Sequence, residues 1–246
     1  MSRMARQKSS TGYYHVILRG VAKQIIFEDR SDRLFFINIM KKYITASGQS
    51  LVCYCLMENH VHLLMYDRTD AISLVMQKIG GCYSMYFNNK YDRTGHLFQN
   101  RFLSEVVEND RYLVTVFRYI LNNPPKAGIC AASEYEWSSY GLYGGRDGFI
   151  DTSEIERIIG GPDAYESFIA ASNEDDCLEY TGYIHDDQWV ERRIREILGV
   201  VSGNEVKAYD KKRRNAAISQ LRSGGLTIKQ IERHTGISRG VIQKLR

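Results

Sequence analysis

Two histidines separated by a single residue, His60 and His62, lie in the apolar, β-branched and aromatic run 51–66. On a strand, residues two apart point to the same face, so both imidazoles project side by side while Val61 turns the other way. Neutral imidazole is a common ligand of divalent metals, and two at this spacing on a rigid strand form half of a metal site. The alternative is a pair of ordinary strand histidines held by hydrogen bonds. Further along the chain, Tyr119 and Asn123 are spaced to share one face of a helix. A tyrosine hydroxyl can act as a nucleophile when something stabilises its phenolate and takes up charge on the phosphate under attack. A metal held by His60 and His62 would do this as a Lewis acid, with the Asn123 amide oxygen as a third ligand. The chain has 17 tyrosines, most of which must be packing residues. Tyr119 stands out only because of the histidine pair.

The elements that must position these groups follow from periodicity. Tyr13-Tyr14-His15-Val16-Ile17-Leu18 reads as a first strand. Ser31 is expected to cap a helix whose apolar residues Leu34, Phe35, Ile37, Ile39, Met40 and Ile44 recur at helical spacing, with Gly48 ending it. Strands over 51–57 and 60–66 are joined by a tight turn at Glu58-Asn59. A helix over about 71–91, a strand over 103–107 and a helix opening at Asp110 complete the series. Pro124-Pro125 is expected to stop that last helix. The order is strand, helix, strand, strand, helix, strand, helix. It predicts an α+β fold: a ferredoxin-like, four-stranded antiparallel sheet with helices on one face, plus a terminal helix.

Residues 134–140 read as a turn-rich, aromatic closing segment, 151–172 as helical stretches and 189–198 as a short amphipathic helix. From Lys211 the chain changes character. The stretch 226–245 has the layout of a helix-turn-helix, with Ile228 and Ile231 facing inward, Gly236 at the turn and Ser238 as the cap of the second helix. Arg239, Gln243 and Lys244 would lie on that helix's outer side, where base edges and phosphates can be read. The competing reading is a plain helical hairpin. The organisation expected is a catalytic domain over 1–145, a helical and acidic connecting region over 146–204 and a DNA-binding module over 205–246.

At 246 residues, 43% hydrophobic and 25% charged, the chain has the composition of a soluble globular protein. It has no apolar run of membrane-spanning length, and its basic start lacks the apolar segment of a signal peptide. Five cysteines without a repeated CxxC spacing argue for reduced thiols in a cytoplasmic protein. The net charge of +4 is unevenly spread. An acidic stretch from Glu174 to Asp187 precedes a basic tail, which points to a nucleic-acid partner for the tail.

Three motifs, Glu58-Asn59-His60-Val61-His62-Leu63-Leu64, Gly95-His96-Leu97-Phe98-Gln99-Asn100-Arg101-Phe102 and Arg118-Tyr119-Ile120-Leu121-Asn122-Asn123-Pro124, occur in this order behind Tyr13-Tyr14-His15-Val16. Together they resemble the HUH single-tyrosine transposases (insertion-sequence-200-like), and most nearly the REP-associated tyrosine transposases, over residues 12–143. The resemblance implies a metal-dependent enzyme that cleaves and rejoins single-stranded DNA. In that role His60 and His62 match the metal pair, Asn123 the polar residue completing the site, and Tyr119 the nucleophile that forms a 5′-phosphotyrosine link. It further implies Mg²⁺ or Mn²⁺ as cofactor, hairpin-forming repeats among the DNA partners, and a monomer or homodimer. Arg101 is the simplest phosphate contact in the second motif. His15 and His96 read first as structural histidines, and otherwise as groups that orient the ligands or touch DNA.

Two further functional readings stand beside this one. The first is a non-catalytic, sequence-specific DNA-binding regulator on the same fold. The second is a metallo-hydrolase with water as its nucleophile. A covalent protein–DNA adduct separates both from the transposase.

Overall fold

Strands form where apolar, β-branched and aromatic residues concentrate. In the computed structural model, which describes residues 6–144, 149–171, 177, 187–200, 202–224, 226 and 228–243, these are β1 (Tyr13–Arg19), β2 (Ser50–Met57), β3 (His60–Tyr66) and β4 (Leu103–Val107). They pair antiparallel throughout, in the order β2-β3-β1-β4. Register puts Ile17 opposite His62 and Arg19 opposite His60. This is the expected ferredoxin-like sheet.

Strand alternation divides the buried residues between two cores. Val16 and Leu18 of β1, with Val61, Leu63 and Met65 of β3, pack against α1 (Arg30–Ala46) and α2 (Ile72–Lys90). The other face carries His15, Arg19, His60, His62 and Leu64. The terminal helix α3 (Asp110–Leu121) covers this second face, its Leu113, Val116, Phe117 and Ile120 buried with Cys53, Cys55 and Leu64. The two long helices therefore take one side of the sheet, and the helix carrying Tyr119 takes the histidine side.

One local expectation is corrected. Asp29, not Ser31, caps α1: its carboxylate accepts from the Asp32 backbone N–H, and the Asp32 carboxylate accepts in return from the Asp29 N–H. This reciprocal box satisfies two donors that a lone serine would leave open. Asp32 itself is buried and holds Lys90 Nζ at 2.7 Å and the Tyr91 hydroxyl at 2.8 Å, tying α1 to α2. As expected, α3 ends ahead of Pro124-Pro125, at Leu121; both prolines then open a separate short helix, α4 (Asn123–Lys126). In a first turn the missing proline N–H has no intrahelical partner to lose.

Beyond α4, the outer edge of β2 is covered by two passing segments. The Leu56 N–H donates to the Trp137 carbonyl, the Ser139 N–H to the Tyr54 carbonyl, and the Leu51 N–H to the Phe149 carbonyl. α5 (Ser153–Ile159) and α6 (Pro162–Ala170) then add Ile155, Tyr165 and Ile169 to the core under α3.

Compactness divides the chain into Met1–Thr181 and Gly182–Arg246, whereas composition placed boundaries at 145 and 204. The shift at the first boundary arises because α5 and α6 share the core of α3. The second unit is helical: α7 (Asp187–Leu198), α8 (Lys211–Ser223), α9 (Ile228–Thr235) and α10 (Arg239–Gln243), with a 3-10 turn over Gly203–Ala208. Ile194, Val206, Ile218, Leu221, Ile231 and Ile242 form its core. Between α9 and α10, Gly236 has φ +64°, a conformation that favours glycine. The Ser238 carbonyl accepts the first helical bonds of α10. Most of the acidic stretch 174–187 lies outside the described residues, as does Lys244. The side chains of Arg239 and Gln243 are likewise not described. All five cysteines are free. Among the described residues, no helix is long and apolar enough to cross a membrane.

Candidate active site

β3 holds His60 and His62 on one face with ring centroids 4.9 Å apart. α3 crosses that face and sets the Tyr119 ring edge-on to His62, at 5.7 Å, and to His15, at 5.9 Å. One chain thus brings together the phenol and both imidazoles. Asn123, one turn beyond Tyr119, donates from its amide nitrogen to the Tyr119 carbonyl at 2.9 Å. Its side chain also reaches His60, where it favours the protonated ring.

The His60 tautomer follows from its neighbour. The Asn59 amide nitrogen donates to the Lys23 carbonyl at 3.2 Å, which turns Asn59 Oδ1 toward His60 Nδ1 at 2.6 Å. An oxygen acceptor there places the His60 proton on Nδ1 and leaves Nε2 with a lone pair. His62 Nδ1 lies 3.0 Å from His15 Nε2, a contact that either ring can donate, and Nε2 is the other nitrogen of His62. Burial holds all three rings neutral. It lowers His15 to about 3 and, helped by the Arg19 charge, His60 to about 4; burial and then the His60 charge lower His62 well below its usual value.

The sign of the resulting pH effect is fixed. Unfolded histidines protonate near pH 6.5 while the folded ones do not, so acid favours the unfolded chain. Stability contributed by these rings is full above about pH 6.5 and declines as pH falls toward their folded values. In EDTA, the urea midpoint of the first unit is expected to be lower at about pH 5 than at about pH 7.5. Equal midpoints would contradict the burial of three neutral rings.

Two cations border the site. Arg19 follows His15 and Ile17 on the same strand face and lowers the pKa of both His60 and His62 by its charge. Lys126 places Nζ 4.6 Å from the centroid of the Tyr119 ring. Tyr119 is only 3% exposed. It forms part of the wall of a cavity of about 410 Å³, with Asn122, Lys126, Ala132, Tyr140 and Ile169 among the other lining residues.

Of the residues singled out from sequence, His60, His62, Tyr119 and Asn123 are brought together. Arg101 is exposed and stands at a different groove, together with His96. Arg239, Gln243 and Lys244 belong to the second unit. Arg19, Asn59 and Lys126 were not assigned to the site from sequence, and His15 was read first as structural, with orienting a ligand or touching DNA as the alternative. His15 and Arg19 had a signal, being four apart on the strand and hence on one face; Asn59 and Lys126 had none.

As a metal site, the donor set fits. Two neutral imidazoles present Nε2, and an amide that can offer oxygen adjoins them. Among the described residues, no group of three or more His, Cys, Asp or Glu is placed to hold an ion, so any third protein donor here must be of another type.

Comparison with known proteins adds the following. Residues 8–123 match the family described as Transposase IS200 like. No curated protein matches the chain in sequence. Among solved structures, a REP-associated tyrosine transposase bound to a REP hairpin is similar at 16% identity and a TM-score of 0.46, over 62% of this chain and 94% of that one. A protein from Deinococcus radiodurans described as a transposase is similar at 19% identity and a TM-score of 0.34, over 49% of this chain and 96% of that one. The region of the match carries β1 through α3, and with them every histidine and the tyrosine of the site. Residues 8–123 of this chain are thus similar to the IS200-like transposases.

Proposed function

We propose that the first unit is a metal-dependent single-stranded DNA endonuclease and strand transferase that works through a 5′-phosphotyrosine intermediate. The observation that carries this reading is the Tyr119 ring, set 5.7 Å from His62 on the face that also holds His60. His60 and His62 would hold Mg²⁺ or Mn²⁺ through Nε2, with the Asn123 amide oxygen as a further ligand. The bound ion would supply Lewis-acid stabilisation to a non-bridging phosphate oxygen.

The chain's own groups do the rest. Tyr119 Oη forms the new O–P bond as the bond from phosphorus to the 3′-oxygen breaks, and the phenolic proton ends on the released 3′-hydroxyl. One phosphodiester replaces another, so reversal with a different 3′-hydroxyl rejoins DNA without an external energy source. Arg19 and Lys126 add positive charge where the phosphate must sit. Asn59 holds His60 in the ligating tautomer and His15 orients the His62 ring, as partners behind a metal ligand commonly do. All these groups come from one chain.

A randomised single-stranded DNA library incubated with Mn²⁺ and resolved on a denaturing gel tests the reading. A covalent protein–DNA band is expected. Cleavage without that band would favour water as nucleophile. EDTA-insensitive binding with no cleavage would favour the regulator.

The second unit is proposed as a helix-turn-helix DNA-binding module, with Arg239, Gln243 and Lys244 on the reading helix. The glycine turn between α9 and α10 and the basic excess of the tail support it. Deleting 205–246 is expected to weaken or redirect DNA binding while leaving adduct formation on a minimal single strand. Unchanged affinity and site choice would contradict a targeting role.

A further inference from the structure

The motif Gly95-His96-Leu97-Phe98-Gln99-Asn100-Arg101-Phe102 turns its apolar residues away from the histidine–tyrosine site. It runs along the end of β1, where the Val21 N–H donates to the Leu97 carbonyl and the Gln99 N–H to the Arg19 carbonyl. Its apolar residues Leu97, Phe98 and Phe102 join the core under α1 and α2, on the side of the sheet opposite His60 and His62. There the motif and α2 enclose a groove of about 770 Å³.

The composition of that groove is lopsided. Its lining contains Arg6, Arg101 and His96 and no aspartate or glutamate. Arg6 is fixed by neutral acceptors alone: Nε donates to Ser104 Oγ at 3.1 Å, Nη1 to Ser73 Oγ at 3.2 Å and Nη2 to the Phe102 carbonyl at 2.8 Å. Its guanidinium also lies over the Phe102 ring, 3.4 Å from the centroid. Burial, and then the charge of Arg101, lowers the Arg6 pKa. Two cations that repel each other at the edge of an acid-free groove are relieved by an anion.

The opposite wall is Gly80-Gly81 of α2. Glycine inside a helix is unfavourable, yet here it leaves room. A Cβ at Gly80 would meet the Phe98 ring at 3.9 Å, and one at Gly81 would meet nothing within 4 Å. Phe98 is half-buried and backed by Tyr83, the ring centroids 6.2 Å apart. Gln77, Gln99 and Asn100 add amides that both donate and accept. Fixed cations, a backed aromatic ring and open glycine walls are the parts from which single-strand binding sites are made.

We infer that this groove binds an unpaired stretch of DNA, phosphates at Arg6 and Arg101 and bases against Phe98 and the Gly80-Gly81 wall, apart from the strand held at Tyr119. The inference rests on the DNA-processing reading of the chain. It also gives the second motif a purpose. Because the motif's backbone is bonded to the end of β1, a DNA strand seated in the groove is tethered to the β-strand that carries His15 and Arg19.

The test uses the full chain with Tyr119→Phe, in EDTA, and a 5′-fluorescein-labelled (dT)20 probe followed by fluorescence anisotropy. Arg101→Gln and Gly81→Glu are each expected to weaken binding by about tenfold or more. Lys78→Gln, which removes an α2 charge outside the groove, is expected to stay within about twofold. Near-wild-type binding by both groove variants, an equal loss in Lys78→Gln, or no binding by the parent chain would overturn the inference. Failure of the catalytic reading looks different: no adduct with any strand from the Tyr119-containing chain, whatever the groove variants do.

Discussion

Tyr119→Phe is expected to abolish the covalent protein–DNA band and lower strand cleavage by at least about a thousandfold, because it removes the attacking oxygen and nothing else. The ring stays where it packs against His15 and His62, so thermal stability and single-strand binding should be close to those of the parent. The variant therefore separates chemistry from folding. Residual cleavage at the parental rate would shift the nucleophile to water or to another of the 17 tyrosines. It would leave Tyr119 as a packing residue of α3.

The second large effect is expected at the imidazoles. His62→Ala should abolish stoichiometric Mn²⁺ binding, measured by calorimetry on the DNA-bound protein. Adduct formation should fall by at least about a hundredfold. His60→Ala should act in the same direction. His62 is buried against His15, so its truncation also leaves a small void and strips His15 of its partner. His60 is less enclosed and gives the cleaner comparison. If both variants bind Mn²⁺ as the parent does, the ion sits elsewhere and the ring pair is structural.

The sheet was legible from sequence because alternation is a local property. Val61 turned to one face of the sheet while His60 and His62 turned to the other, as a period of two requires, and β3 and β4 have the bounds that pattern implied. α3 was legible for the same reason at helical spacing. The meeting of Tyr119 with His62 depends on more than either pattern. It needs β3 beside β1 and α3 on the face that α1 and α2 leave open, and both are matters of long-range pairing. The cations show the difference. Arg19 read as the end of a strand, and only the register opposite His60 makes it part of the site. Lys126 lies past a proline pair that read as a stop, although prolines in a first turn carry the chain on. The cap of α1 went to Asp29 because two carboxylates three residues apart can bond each other's backbone, whereas a serine within the helix cannot. In the second unit the Gly236 turn was plain from its neighbours. What its outer helix reads depends on side chains beyond the described residues.

The central claim is that the Tyr119 hydroxyl, held against His60 and His62 of its own chain, becomes joined to a 5′-phosphate. Proteolysis of the Mn²⁺-dependent adduct, nuclease trimming and tandem mass spectrometry measure this directly. The account predicts the nucleotide mass on the peptide containing Tyr119, with fragment ions placing it on that residue. The same mass on a different tyrosine, or cleaved DNA with no modified peptide, would contradict it.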